Sequence, residues 1–251
     1  MSIFTTFWLS IKDLFDELFA LMIANLLWLV LSAPLAIVAG LLIYIGLLVP
    51  GVLVALFGVL LVAPATAGLY SVVQRVVEGR VTSWRVFFAG FREYLLPSWR
   101  VYGLWWLGLM LIVVNVQFYN RVNSSVGLFL SILFLYVLLV WLALLIYIGP
   151  LLLLQSDKRI RVIARNAFLM ALGRPIFTLL TLIMMLVIFF ASLWLVIVPF
   201  VLTFAFLALW SFRATSRLIA DAEARRAARD GKVAADQPVV KGRGGQVRPR
   251  D

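Results

Sequence analysis

Four long stretches of this sequence contain no Asp, Glu, Lys or Arg: residues 18–74, 101–120, 122–156 and 175–212. They run for 57, 20, 35 and 38 residues and are almost wholly apolar. A helix crosses the hydrocarbon layer of a bilayer in about 20 residues. Of the 251 residues, 65% are hydrophobic, against about 45–50% in a soluble domain. A globule in water would leave that excess on its surface and aggregate. The chain therefore reads as an all-α, polytopic membrane bundle.

The first stretch is long enough for two crossings, and Val49-Pro50-Gly51 supplies a turn signal to divide it. The second and third hold one crossing each. As one helix, the fourth would be about 57 Å long. The segments around 75–100 and 157–174 are basic, as is the tail from Arg213, with ten basic and five acidic residues. Basic loops stay in the cytoplasm. An even number of crossings between 175 and 212 satisfies that rule, with a turn between Ser192 and Pro199. Six helices are expected, at about 18–48, 52–74, 101–119, 128–154, 175–195 and 197–214, with both termini cytoplasmic. The rival is five helices, the last one long and tilted, with an external tail. The N-terminus lacks the pattern of a cleavable signal. Residues 1–220 form the expected membrane domain. Residues 221–251 form a basic cytoplasmic tail, helical to about Arg229, ending near Gly231, and disordered from Lys232.

Each expected hairpin follows a short amphipathic segment. Trp8, Ile11, Phe15 and Leu18 share one helical face, as do Trp84, Phe87, Phe88, Phe91 and Leu95. Ile160, Ile163, Ala167 and Met170 form the third such face, opposite Lys158, Arg161 and Arg165. Three copies of an interfacial helix plus a hairpin would explain this spacing; so would basic loops between unrelated spans.

The chain has no Cys and no His. Thiol nucleophiles, thiolate or imidazole metal sites and a Ser-His-Asp triad are thereby excluded. No catalytic, cofactor or metal site is expected, and the chain reads as a non-enzyme. Uncharged polar residues inside the spans are few, and Asn25, Thr66, Ser71, Gln74, Asn115 and Gln117 are the candidates among them. They suit either a polar pocket or hydrogen bonds between helices. Ala63, Ala67 and Ser71 make a small-residue stripe suited to close helix packing. Trp99, Trp105, Trp106, Trp194 and Trp210 read as anchors near span ends. Arg85, Arg92, Arg161 and Arg165 are the candidate contacts at the cytoplasmic surface. Anionic lipid is the expected partner there, with transporter subunits as a second class and no nucleic acid.

Three segments carry a resemblance: Asn25-Leu26-Leu27-Trp28 with Ser32 and Pro34, Ala63-Pro64-Ala65-Thr66-Ala67-Gly68-Leu69-Tyr70, and Trp84-Arg85-Val86-Phe87-Phe88 with Phe91-Arg92. Over roughly the first 100 residues the chain resembles the YesL-like family of bacterial integral membrane proteins. The resemblance implies a multi-pass protein of the bacterial inner membrane, in an accessory role beside carbohydrate uptake. The alternative function is a transporter or channel in its own right, without proton coupling, because the spans lack an ionisable group.

Overall fold

The computed structural model describes residues 3–195 and 197–236, with side chains through Arg229. Among these residues every regular element is a helix, and no strand is present. The helices are α1 (Ile3–Asp16), α2 (Leu18–Tyr44), α3 (Leu48–Val77), α4 (Trp84–Glu93), α5 (Leu95–Asn120), α6 (Ser125–Leu154), α7 (Ile160–Gly173), α8 (Pro175–Trp194) and α9 (Phe204–Asp236). A π-helical turn, Pro199–Thr203, leads into α9. Among the described residues, six helical segments are long and apolar enough to cross a membrane: α2, α3, α5, α6, α8 and Pro199–Arg229. The protein is a multi-pass helical membrane protein.

The outward faces carry the case for a bilayer. Ile176 is 74% exposed and Trp194 91%, a surface that water would not tolerate. Lipid tolerates it because each helix pairs its own backbone groups internally. The short helices α1, α4 and α7 each precede two long apolar segments, and α4 and α7 pack on α3 and α6. Phe87, Ile163 and Ala167 have no exposed surface, so α4 and α7 bury the centres of the apolar faces their spacing marks, while Trp84 at the start of α4 is 54% exposed. α1 does the reverse: Trp8 and Phe15 point outward, while Thr6 and Ser10 are buried.

The first turn lies earlier than the sequence suggests. The chain reverses at Gly46, whose φ of 88° suits glycine. Val49, Pro50 and Gly51 belong to the first turn of α3. Pro50 is harmless there, because the first four N–H groups of a helix have no partner within it; the Gly51 N–H opens the ladder by donating to Leu47 O at 3.0 Å. α5 begins at Leu95, six residues before the expected start, because Pro97 falls within its first turn.

Proline also sits in mid-helix, at Pro34, Pro64 and Pro150. Such a proline leaves the carbonyl four residues earlier without its donor. The carbonyl freed by Pro64 is that of Leu60, and the Trp99 indole N–H donates to it at 2.8 Å. The carbonyl freed by Pro150 is that of Ile146; it lies 3.3 Å from the Thr215 hydroxyl, whose single proton is closer to Ser211 O at 2.8 Å. At Pro64 a side chain from another helix thus repairs the broken ladder.

Among the described residues, those up to Ser216 form one compact unit and those from Arg217 to Asp236 belong to a second. Helix α9 continues through Gly231 to Asp236 rather than stopping near Gly231. A single glycine costs a helix only about 1 kcal/mol relative to alanine, and Lys232-Val233-Ala234-Ala235 continues it. The disorder expected from Lys232 onward falls largely on residues 237–251, which lie outside the described residues.

Candidate functional site: an intramembrane cavity

All six spans contribute to a cavity of about 370 Å³, with Trp28, Thr66, Tyr102, Leu142, Leu182 and Phe204 each representing one span. No charged side chain lines it among the described residues. Its polar groups are mostly paired within the protein. The Trp28 indole donates to Thr66 Oγ1 at 3.0 Å, and that hydroxyl donates to Val62 O at 2.7 Å. Tyr70 Oη and Ser211 Oγ are 2.7 Å apart, with Ser211 Oγ also 3.2 Å from Ala208 O. Trp105 and Trp141 exchange indole-to-carbonyl bonds of 3.0 and 2.9 Å, which lock α5 to α6.

Trp105 is therefore no interfacial anchor. It is 7% exposed and lies about 15 Å into α5, since that helix starts at Leu95. Trp210 is also not an anchor: it is fully buried, with its ring 5.0 Å from that of Phe7. Both corrections have the same cause: where a helix starts, and which face it buries, decides whether a tryptophan meets the interface.

Beside the cavity, Asn25 is fully buried. Its amide nitrogen donates to Pro199 O at 2.9 Å and Phe200 O at 2.8 Å, and its amide oxygen accepts from Ala205 N at 3.0 Å. A π-helical turn displaces backbone bonds from the ordinary ladder. One side chain on α2 meets three of these groups at the start of the last span.

The other sequence-selected residues are not gathered into this arrangement. Thr66 lines the cavity. Ala63 and Ala67 are buried in α3. Ser71 donates to Ala67 O at 2.9 Å and lies against Gly90 of α4, so its near neighbour is an interfacial helix. Gln74 donates to Glu78 at 2.8 Å. Asn115 donates to Leu111 O of its own helix at 2.7 Å, and Gln117 is exposed. Arg85, Arg92, Arg161 and Arg165 are all exposed, and Arg85 lies 5.5 Å from the centre of the Trp84 ring.

Two polar contacts at the basic end escape sequence reading. Arg213 Nε donates to Asp13 Oδ2 at 2.6 Å, and its Nη2 contacts the same oxygen. Both side chains are largely buried, although Asp13 is not part of the apolar face formed by Trp8, Ile11, Phe15 and Leu18. Lys158 Nζ donates to Leu152 O at 2.6 Å and Leu153 O at 3.0 Å, closing the C-terminus of α6. Burial pushes the Lys158 ammonium below its ordinary pKa, against the opposing pull of Glu93. Burial raises the neighbouring Tyr94 phenol, reinforced by Glu93. A Lys placed just past a helix end is the one signal that foretells this cap.

A family described as "Protein of unknown function, DUF624" matches residues 21–116. The match spans α3 and α4 and most of α2 and α5, and it includes all three segments that carry the YesL-like resemblance. The chain matches no curated protein and no solved structure. Asn25 and Thr66 lie inside the matched region; Pro199, Phe200 and Ser211 lie beyond it.

Proposed function

We propose that the protein is a non-enzymatic accessory component of a solute-uptake system in a bacterial inner membrane, with the basic end of the bundle and both termini in the cytoplasm. The carrying observation is the seating of α4 and α7. Their apolar residues are packed inward at Phe87, Ile163 and Ala167, while Arg85, Arg92, Arg161 and Arg165 stand exposed. Fixed helices that present arginine at a membrane surface suit anionic lipid and an acidic face of a transporter subunit. Carbohydrate as the solute rests on the YesL-like resemblance.

The cavity supports this reading over that of a sugar carrier. A sugar carries a hydroxyl on most of its carbons, and each one left unpaired in an apolar site is costly. Here most of the polar lining is already committed to internal bonds.

The test compares cells lacking the chain, cells complemented with wild type, and cells complemented with Arg85→Glu, Arg92→Glu, Arg161→Glu and Arg165→Glu combined. Labelled-sugar uptake is expected to fall without the chain and to return with wild type only. Purified protein alone in liposomes is expected to accumulate no sugar. Accumulation by the protein alone, abolished by a protonophore, would overturn the accessory reading.

A further inference from the structure

The cavity has an order along the membrane normal. Tyr70 lies five residues from Arg75, Ser211 two from Arg213, and Tyr102 two from Arg100. Those hydroxyls therefore sit toward the basic end. Val62 is about 12 Å deeper along α3 than Tyr70, and Phe189 lies about 21 Å into α8. The deep end is lined by apolar side chains, and the polar end lies within two to five residues of the basic positions Arg75, Arg100 and Arg213.

Two lining groups remain to be satisfied. Tyr102 is 8% exposed, and its hydroxyl has no hydrogen-bond partner among the described residues. The same holds for the indole N–H of Trp106, four residues deeper on the same face of α5. Both groups can donate. Neither atom is sealed within the protein, and both residues line the cavity, so an acceptor that enters it can meet them. The cavity volume falls within the usual range of ligand sites, about 300–1,000 Å³. Its uncharged lining excludes a phosphate from the interior.

We propose that this cavity is a binding site for the acyl-ester portion of a membrane lipid from the leaflet on the basic side. The chain occupies the apolar end between Val62, Leu142 and Phe189. The ester carbonyl accepts a hydrogen bond from the Tyr102 hydroxyl, and the headgroup stays outside, at the basic end.

The test uses full-length protein in nanodiscs of phosphatidylethanolamine and phosphatidylglycerol. Two probes carry a diazirine on an acyl chain, one a phosphatidylglycerol and one a diacylglycerol; a third is a diazirine hydrocarbon with no polar group. Cavity residues such as Trp106, Leu145 and Phe189 are expected to be labelled by at least one ester probe, and which one identifies the lipid source. Tyr102→Phe is expected to reduce that labelling about three- to tenfold, the equilibrium effect of one hydrogen bond, and to leave hydrocarbon labelling unchanged. Leu145→Trp, which narrows the cavity, is expected to reduce labelling by all three probes. Ester labelling confined to the outward residues Leu104, Leu107 and Leu111, or undiminished in Tyr102→Phe, would overturn the proposal.

Discussion

Asn25 shows how much one polar residue can hold in a membrane. Its amide meets two carbonyls and one N–H around the π-helical turn, all more than 170 residues away in sequence. Asn25→Leu leaves those groups unpaired in a low-dielectric setting, where each costs about 1–3 kcal/mol. Part of that is recovered by backbone relaxation and by the added apolar surface. The variant is expected to lose about 2–4 kcal/mol, read as a clear drop in thermal stability in detergent. Asn115→Leu is expected to change little, because Asn115 bonds only within its own helix. Equal stability of the two variants would contradict the role given to Asn25. The sequence marks both as rare polar residues in apolar runs and cannot rank them, since the partners of Asn25 come from the far end of the chain. Asp13 and Arg213 are hidden for the same reason, 200 residues apart yet in contact.

At the scale of the element, local pattern carried most of the helices. Residue spacing marked the buried stripes of α4 and α7, and the charge-free runs located the spans. It failed where chemistry near a helix end has two meanings. Val49-Pro50-Gly51 is a turn signal, yet Pro50 fits the first turn of α3 and Gly46 makes the reversal. The contact between α3 and α4 is likewise tertiary. A Cβ on Gly68 would come within 2.7 Å of the Phe87 carbonyl oxygen, a backbone atom with little freedom to move. Gly68→Ala is expected to push α4 off α3 at a cost of about 1–3 kcal/mol. Gly40→Ala meets nothing within 4 Å and is expected to be neutral or slightly stabilising. Melting of both variants in one detergent checks the contrast, and a Gly68→Ala as stable as wild type would show that the helices are not in close contact.

For the whole molecule, the sequence made the membrane class and the six spans legible, because burial in lipid demands long uncharged helices whatever the tertiary arrangement. The cavity was not legible, since it exists only where six spans converge and depends on Tyr102, a residue with no local signal. The central claim is the threading: both basic segments, before α4 and between α6 and α7, on one side, and the link between α5 and α6 on the other. The chain has no cysteine, so single cysteines can be placed on an otherwise thiol-free protein. Ser83→Cys and Ser156→Cys mark the basic side, and Asn123→Cys marks the opposite link; all three positions are exposed. With a membrane-impermeant maleimide on intact cells, Asn123→Cys is predicted to label at once, and Ser83→Cys and Ser156→Cys only after the membrane is opened. Labelling of Ser83→Cys or Ser156→Cys in intact cells, or protection of Asn123→Cys, would contradict the threading.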